Sequence, residues 1–401
     1  MRILHTSDWH LGASLKEHPR DYEHGEFLRW LTATLQKDAY DAILIAGDIF
    51  DSANPPARAL QLWYGWLTSV VQLLPTLQII VIGGNHDSAS RLNAPAELLR
   101  ALRIHTVGGL ERLPDGRPDI SPTIVALRDS GGEIRALVGA VPFLGTVSTE
   151  AVSDCYGRMV DQLRATAPPA AALMLTGHLT ALGSALQRST DSERAIAGSL
   201  ENVPVAVFPD DVAYVALGHL HRAQQPAERV WYSGSPIPMS FAEQDYEHRV
   251  LSIELVPSDQ GRSTATVSSI PIPRSVPMET WPAKGEAMSA ADAMFRLQSV
   301  AAARDVEETL PLVQIRLSAG TAVHKRELDE AAHKRDIRLL HVDIGRAAKL
   351  GPGSREVLSL DDPRAVFVAA WSQSHGDRPI PAGVWAAYDE AVDAYRAGAV
   401  T

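Results

Sequence analysis

The first half of the chain alternates short runs that are apolar throughout with segments whose apolar residues recur at helical spacing. Apolar runs at 41–46 and 77–82 are followed by helical patterns at 57–73 and 95–102, and a further helical pattern covers 27–35. Short runs that are apolar at every position are typical of strands buried on both faces, and their alternation with helices indicates parallel α/β units. The pattern therefore predicts an α/β domain in this part of the chain.

Beyond residue 104 the pattern changes, because the apolar runs become shorter and are separated by Gly, Pro and Asp, as between antiparallel strands. Five more strands are predicted further along, at 171–176, 212–217, 229–233, 248–255 and 264–270. The four prolines within 271–282 then mark the end of the domain, for which we predict residues 1–271.

Two smaller units are predicted after the prolines. Residues 272–346 alternate helix, strand, helix and strand, which indicates a small α/β domain. Residues 347–401 contain the breaker Gly351-Pro352-Gly353-Ser354 and two predicted helices, 363–373 and 384–396, that share an aromatic face. Because so short a segment buries little surface alone, this face either packs on the rest of the chain or docks a partner.

Composition narrows the class of protein. Of the 401 residues 45% are hydrophobic, enough for a packed core, and no apolar run is long enough to span a membrane. The N-terminus has the pattern of a strand and not of a signal peptide. The single cysteine, Cys155, excludes an intramolecular disulfide and fits a reducing compartment. We therefore expect a cytoplasmic protein without a membrane segment.

Polar motifs with carboxylate, amide and imidazole groups follow five of the apolar runs. In chain order they are Asp8-Trp9-His10, Gly47-Asp48, Gly84-Asn85-His86-Asp87, Gly177-His178 and Gly218-His219-Leu220-His221. Ligands of open α/β sheets bind beyond the carboxyl ends of the strands, so we expect these groups at one rim. Oxygen and nitrogen ligands in this number exceed the needs of one tetrahedral ion and suit two ions of higher coordination. The sequence therefore predicts a dinuclear metal site.

The five motifs in this order resemble those of the calcineurin-like metallophosphoesterases. Longer stretches are similar to the SbcD family, the nuclease subunits of the bacterial SbcCD complex. They include Gly47-Asp48-Ile49-Phe50-Asp51, Ala216-Leu217-Gly218-His219-Leu220-His221-Arg222 and Tyr232-Ser233-Gly234-Ser235-Pro236-Ile237-Pro238. The resemblance implies an α/β fold in which a two-sheet sandwich is flanked by helices. It also implies that 272–346 is a capping domain and 347–401 a C-terminal helical segment.

The resemblance further implies which residues hold the metals. One ion would be bound by Asp8, His10, Asp48 and His221, and the other by Asp48, Asn85, His178 and His219. Asp48 belongs to both sets, and a carboxylate that bridges two cations offsets part of their repulsion. In the family pattern His86 is not a ligand and would donate to a phosphate oxygen or protonate the leaving group. Asp87 would orient an imidazole.

The same resemblance implies a function. It implies a DNA nuclease with two divalent ions, Mn²⁺ foremost, that acts as an endonuclease on single strands and an exonuclease on duplex ends. It also implies a homodimer within a heterotetramer that contains an SbcC ATPase, with 347–401 binding SbcC. A small-molecule phosphodiesterase or phosphatase of the same fold is the alternative. A scaffold that has lost activity would lack a ligand or His86, and all of these residues are present.

The net charge of −11 argues against a broad basic surface for nucleic acid. Bound metal ions and a partner protein would supply positive charge in its place. The isolated basic residues near the motifs are Lys16, Arg20, Arg58, Arg91 and Arg222. Each is more often a solvated charge than a phosphate contact, and Arg91, four residues after Asp87, is the one that we expect to meet DNA.

Overall fold

The computed structural model describes residues 1–145, 148–182, 203–258, 261–283, 286–300, 307–318 and 325–344, and in the C-terminal segment residues 364, 367–368, 371, 379–386 and 388–389. The chain divides into two compact units, Met1–Arg346 and Ala347–Thr401. The strands in chain order are β1 (Arg2–Thr6), β2 (Ser14–Leu15), β3 (His18–Pro19), β4 (Ala42–Ala46), β5 (Gln78–Ile82), β6 (Ile104–Val107), β7 (Ile124–Arg128), β8 (Ile134–Gly139), β9 (Ala172–His178), β10 (Ala181–Leu182), β11 (Val203–Pro204), β12 (Tyr214–Gly218), β13 (Gln224–Ala227), β14 (Val230–Tyr232), β15 (Arg249–Ser258), β16 (Gly261–Pro271), β17 (Met278–Trp281), β18 (Leu312–Leu317) and β19 (Arg338–Ile344). The helices are α1 (Asp21–Lys37), α2 (Ala57–Leu73), α3 (Ala89–Asn93), α4 (Ala96–Arg100), α5 (Thr149–Thr166), α6 (Ala290–Ser299) and α7 (Lys325–His333).

Two mixed six-stranded sheets form the larger part of the first unit. Their strand orders are β16-β15-β1-β4-β5-β6 and β13-β14-β12-β9-β8-β7. Strands β1, β4, β5 and β6 run parallel to one another, and so do β8, β9, β12 and β14. The remaining strands of each sheet are antiparallel and lie toward its edges. The fold class predicted from the sequence, an α/β sandwich of two sheets, is confirmed.

The apolar runs are continuous because each central strand is buried on both faces. In β4, Ala42, Leu44 and Ala46 face the second sheet and share a core with its residues Met174 and Ala216. The alternate residues of β4 belong to a different core, which the helices α1 and α2 cover. The side chains between the sheets include many alanines and valines, so the two sheets and the loops at their carboxyl ends lie close together.

Helix α5 covers the outer face of the second sheet and was not predicted from the sequence. Its side chains Cys155, Tyr156 and Met159 are completely buried against that sheet. Ser148 caps the helix by accepting a hydrogen bond from the amide of Ala151 at 3.2 Å. Burial raises the pKa of the Cys155 thiol to about 11, so this cysteine is a packing residue and not a reactive thiolate.

A three-stranded parallel sheet, in the order β17-β18-β19, follows the sandwich and packs against α6 and α7. It has its own core, which includes Trp281, Leu297 and Ile315. Strand β17 lies within the proline-rich 271–282, which the sequence pattern assigned to a domain exit. The strand forms by pairing with β18, which lies more than 30 residues later in the sequence, and the local sequence pattern does not predict this pairing. The three predicted domains and their boundaries stay a prediction.

The described part of the C-terminal unit contains an aromatic cluster. The ring of Phe367 lies 5.5 Å from that of Trp385 and 4.6 Å from that of Tyr388, measured between centroids. Most residues of the helices predicted at 363–373 and 384–396, and the breaker at 351–354, lie outside the described residues. Across the part of the chain that the structure describes, none of the helices combines the length and hydrophobicity that crossing a membrane requires.

Candidate metal centre

The carboxyl ends of β1, β4, β5, β9 and β12 meet at one rim. His178 is the last residue of β9, and the other candidate ligands lie on the turns that follow these strands. Four of these ligands have a positive φ, which residues other than glycine seldom adopt: Asp8 (55°), His10 (48°), Asp48 (50°) and His219 (98°). Backbone hydrogen bonds hold two of the turns together, from the amide of Asp8 to Gly47 O and from that of His10 to Asp48 O, each 3.0 Å. Such conformations cluster at functional sites, where surrounding contacts enforce them.

Asp8, His10 and His221 form the first cluster. Nε2 of His10 lies 3.1 Å from Nε2 of His221, and one ligand atom from each of the three residues falls within 4.8 Å of the others. All three side chains are buried. Two imidazole nitrogens that face each other beside a carboxylate form a site for a divalent cation.

Asn85, His178 and His219 form the second cluster. Oδ1 of Asn85 lies 2.9 Å from Nε2 of His178 and 3.0 Å from Nδ1 of His219. Asp48 lies between the clusters, because its Oδ2 is 3.4 Å from Nε2 of His178 and 3.6 Å from Nε2 of His10. The structure thus brings together all seven side chains that the sequence analysis assigned to metals.

Hydrogen bonds on the far side of two rings select the atoms that face the centre. Nδ1 of His178 donates to the carbonyl of Ala46 at 3.0 Å, and Nδ1 of His221 donates to Oε1 of Glu243 at 3.0 Å. In its neutral form each ring would therefore present the lone pair of Nε2 to the centre, which is the form in which histidine binds metals. This arrangement fits divalent cations.

The electrostatics of the centre also fit cations. Burial lowers the pKa of His178, but the Asp48 carboxylate outweighs burial and raises this pKa to about 9. Burial would raise the pKa of Asp48, and His178 and its neighbours instead hold it well below its usual range. Burial lowers the pKa of His219 to about 3, so this ring is neutral at physiological pH. A buried carboxylate that attracts a proton onto its neighbour is a position at which a metal ion replaces that proton.

His86 lies at the edge of the centre. Its amide donates to Oδ1 of Asp48 at 2.9 Å, and its Nδ1 donates to the carbonyl of Asp51 at 2.7 Å. The His86 ring lies edge to face with that of His10, with centroids 4.8 Å apart. Burial lowers the pKa of His86. Because Nδ1 is held by the backbone, Nε2 is the nitrogen left for proton transfer or for a bond to substrate.

Asp87 does not orient an imidazole through the hydrogen bonds that the structure shows, contrary to the expectation from the sequence. Its carboxylate accepts from the amides of Ile49 at 3.1 Å, Phe50 at 3.0 Å and Gly84 at 2.9 Å. Burial and the negative charge of Asp48 raise the pKa of Asp87 to about 6. Asp87 therefore ties the loop that carries Asp48 to the loop that carries Asn85.

Among the basic residues near the motifs, Arg20 and Arg91 differ in exposure. Arg20 is buried, pairs with the Glu23 carboxylate and donates to the carbonyl of Pro238 at 2.8 Å. It therefore supports the loop that contains Pro238 and cannot reach a substrate. Arg91 lies in α3, is exposed and donates to Oδ1 of Asn54 at 2.7 Å. This hydrogen bond joins α3 to the loop between β4 and α2, which also carries Asp48.

Gly218 allows the two sheets to approach at the centre. A Cβ at this position would lie 1.9 Å from Ala46 O, the acceptor of the His178 hydrogen bond, and 3.0 Å from Nδ1 of His178. We expect Gly218→Ala to lower the free energy of unfolding by about 1–3 kcal/mol and to weaken Mn²⁺ binding, because the strands or the ring must shift. Urea denaturation and calorimetric titration measure the two effects.

The matched control is Gly157→Ala, because Gly157 lies within α5 and an added Cβ would have no neighbour within 4 Å. This change is expected to raise the free energy of unfolding by about 0.5–1 kcal/mol. Equal stability of Gly218→Ala and the wild type would contradict the close approach.

The chain is similar to known proteins over most of its length. Residues 1–223 match the calcineurin-like phosphoesterase family. The SbcD chain of the nuclease SbcCD from Rhodobacter capsulatus is 37% identical over 391 residues, which are 92% of this chain and 94% of that protein. The SbcD chains of Bacillus subtilis and Escherichia coli K12 are 34% and 35% identical, over 71% and 61% of this chain and 72% and 62% of their own lengths.

The family match spans more than half of the chain and contains all five ligand motifs. The relative from R. capsulatus extends the similarity through the region of the small sheet and into the C-terminal unit. The chain therefore belongs to the calcineurin-like phosphoesterases and, within them, to the SbcD family of nuclease subunits.

Proposed function

We propose that this chain is a metal-dependent nuclease subunit that hydrolyses DNA phosphodiesters, as an endonuclease on single strands and an exonuclease on duplex ends. The observation that carries the proposal is the position of Asp48 between two clusters of nitrogen and oxygen ligands. The relatives that cover the chain are subunits of a nuclease, which supports DNA as the substrate.

Two sets of side chains that share Asp48 would bind the two ions. Asp8, His10 and His221 would hold one ion, Asn85, His178 and His219 would hold the other, and Asp48 would contact both. Two divalent ions, Mn²⁺ foremost, supply a water of lowered pKa and neutralise charge on the phosphate when they are bound. The buried carboxylates and neutral imidazoles leave such a pair net positive, which attracts a phosphodiester.

His86 would act on the substrate and not on a metal. Its Nδ1 is held by Asp51 O, so Nε2 can donate to a non-bridging phosphate oxygen or exchange a proton with the departing oxygen. The contact of its amide with Asp48 fixes the ring beside the centre.

The proposal includes partners. We infer an SbcC ATPase bound through 347–401, a homodimer within a heterotetramer, and a capping role for 272–346 in steering DNA. The names of the relatives, each a subunit of SbcCD, support the first of these. A positively charged partner surface would also compensate for the net charge of −11.

Cleavage of end-labelled single- and double-stranded DNA by the full chain with Mn²⁺ tests the proposal, beside a chromogenic phosphodiester and a cyclic nucleotide. We expect cleavage of DNA that EDTA abolishes and that added SbcC extends on duplex ends. Turnover of the small substrates without cleavage of DNA, even after SbcC is added, would favour a small-molecule phosphodiesterase.

Arg91 is the basic residue proposed to contact DNA. In a His86→Ala background, which prevents cleavage during the measurement, Arg91→Ala is expected to weaken DNA binding. The slope of log Kd against log salt concentration should fall by about 1, as for the loss of one phosphate contact. Fluorescence anisotropy at several salt concentrations measures this slope.

Arg164→Ala is the matched control. Arg164 of helix α5 is exposed and pairs with Asp211, which precedes β12 and so lies at the end of that strand opposite the rim. The change should leave the slope as it is in the parent protein. An unchanged salt slope for Arg91→Ala would remove this residue from the DNA-binding surface.

A further inference from the structure

Glu243 is a completely buried carboxylate that no motif in the sequence identifies. Its Oε1 accepts the hydrogen bond from Nδ1 of His221 at 3.0 Å, and its Oε2 accepts from the amide of Met239 at 2.8 Å. A buried carboxylate is costly unless it is hydrogen-bonded in this manner. The hydrogen bond to a histidine of the candidate metal centre offsets part of this cost and indicates a role for the carboxylate at that centre.

The hydrogen bond to Glu243 determines how His221 meets the centre. With the Nδ1 proton directed at a carboxylate, the Nε2 lone pair faces Nε2 of His10 at 3.1 Å. A carboxylate behind a histidine fixes the tautomer and the ring orientation and makes the ligand more basic. Without Glu243 the His221 ring could rotate or exchange tautomers, and its share of the metal binding would fall.

The segment that carries Glu243 is held by the small sheet. Phe241–Glu243 form a single turn of 3₁₀ helix, and Phe241 packs in one cluster with Met278 and Leu312 of β17 and β18. The next residue, Gln244, accepts at Oε1 a hydrogen bond of 2.8 Å from the hydroxyl of Thr280 in β17. Thr280 is itself buried. A continuous series of contacts therefore joins β17, Gln244, Glu243 and His221.

We infer that Glu243 is a positioning residue for His221 and that β17 holds it in place, so that the seating of the small sheet sets how tightly the centre binds one of its divalent ions. This rests on the proposed function of the centre as a metal site. Glu243 would thus let the region of 272–346 affect the metal centre indirectly, through Gln244 and His221 and without direct contact with an ion.

Titration of Mn²⁺ into the metal-free full chain, followed by calorimetry, tests the role of Glu243. Glu243→Ala is expected to raise the Kd of one of two ions by about 10–100-fold, the usual effect of removing the partner of a ligand histidine. Glu243→Gln should have a smaller effect, because its amide oxygen still accepts from Nδ1 of His221. Partial rescue by glutamine separates the hydrogen bond from simple filling of space.

Thr280→Val tests the link to the small sheet. Valine keeps nearly the same shape and removes only the hydroxyl that donates to Gln244, so the Kd of the same ion should rise by a smaller factor than in Glu243→Ala. In the double variant the two effects should not add, because both act through His221. The control is Glu279→Gln, on the same strand but exposed, which should leave both Kd values unchanged.

The outcomes separate the inference from the proposed function. If the wild type binds two ions and Glu243→Ala binds them equally well with only a lower melting temperature, Glu243 is structural and the inference is overturned. An unchanged Kd in Thr280→Val would overturn the link to the small sheet. If the wild type binds no Mn²⁺, the proposed function itself fails. Should Glu243→Ala not fold, the Kd values of the other two variants decide the inference. A higher Kd for one ion in Glu243→Gln and Thr280→Val than in the wild type supports it, and unchanged Kd values overturn it.

Discussion

Asp48→Asn is expected to lower the rate of Mn²⁺-dependent DNA cleavage by about 10³-fold or more. A metal ion supplies several kcal/mol of stabilisation in the transition state, and each ~1.4 kcal/mol corresponds to a factor of ten in rate. Asp48 is the residue whose loss is expected to affect both proposed ions, because one of its oxygens lies within 3.6 Å of both His10 and His178. The asparagine amide carries no charge, so it cannot offset the repulsion between two cations.

Single-turnover cleavage of labelled single-stranded DNA measures this effect, and calorimetry counts the bound ions. Asp211→Asn is the matched control, because Asp211 is an exposed carboxylate that pairs with Arg164 and precedes β12, at the end of the strand opposite its ligand motif. We expect it to leave cleavage unchanged. If Asp48→Asn retained cleavage within tenfold of the wild type, Asp48 would not bridge the ions.

His86→Ala is expected to lower kcat by about 10²–10⁴-fold, the range for loss of a general acid or of a hydrogen bond to the transition state. The affinity for Mn²⁺ should change little, because His86 contacts the centre through its amide and its Nδ1 is held by Asp51 O. This separation of rate from metal affinity distinguishes His86 from the seven proposed ligands.

Rates under saturating DNA, together with titration of Mn²⁺, measure the two quantities for His86→Ala. The control is His105→Ala, since His105 lies in β6 and in none of the motifs. A large loss of Mn²⁺ affinity in His86→Ala would make His86 a ligand. An unchanged kcat would leave protonation of the leaving group to another residue.

The core of the fold could be predicted because its pattern is local. Runs such as Ala42–Ala46 and Gln78–Ile82 are buried at every position, and a strand covered on both faces must be apolar almost throughout. Helix α2 has the predicted bounds, since its apolar residues repeat at 3.6-residue spacing over its length. The polar motifs follow the strands directly, so the rule that parallel strands present their carboxyl ends at one edge placed them together.

Contacts between residues distant in the sequence could not be predicted in this way. The apolar residues of helix α5 recur at helical spacing from Val152 to Leu163, a local pattern that indicates a helix and that the prediction did not include. What the sequence does not show is the packing of this helix on the second sheet, because that contact joins distant parts of the chain. Strand β17 lies among prolines and exists through its pairing with β18. The partners of Asp87 are backbone amides. Nearly every residue has such an amide, so the residue types in the sequence do not indicate which of them Asp87 contacts.

The sequence by itself predicted which residues would carry metal-binding chemistry and at which ends of the strands they lie, because periodicity and strand ends are properties of neighbouring residues. Only the tertiary structure decided how each ligand is oriented. The carbonyl of Ala46 and the carboxylate of Glu243 select the ring nitrogens of His178 and His221, across separations of 132 and 22 residues. Such selection depends on hydrogen-bond geometry within a packed interior, and no spacing of residue types along the chain encodes it.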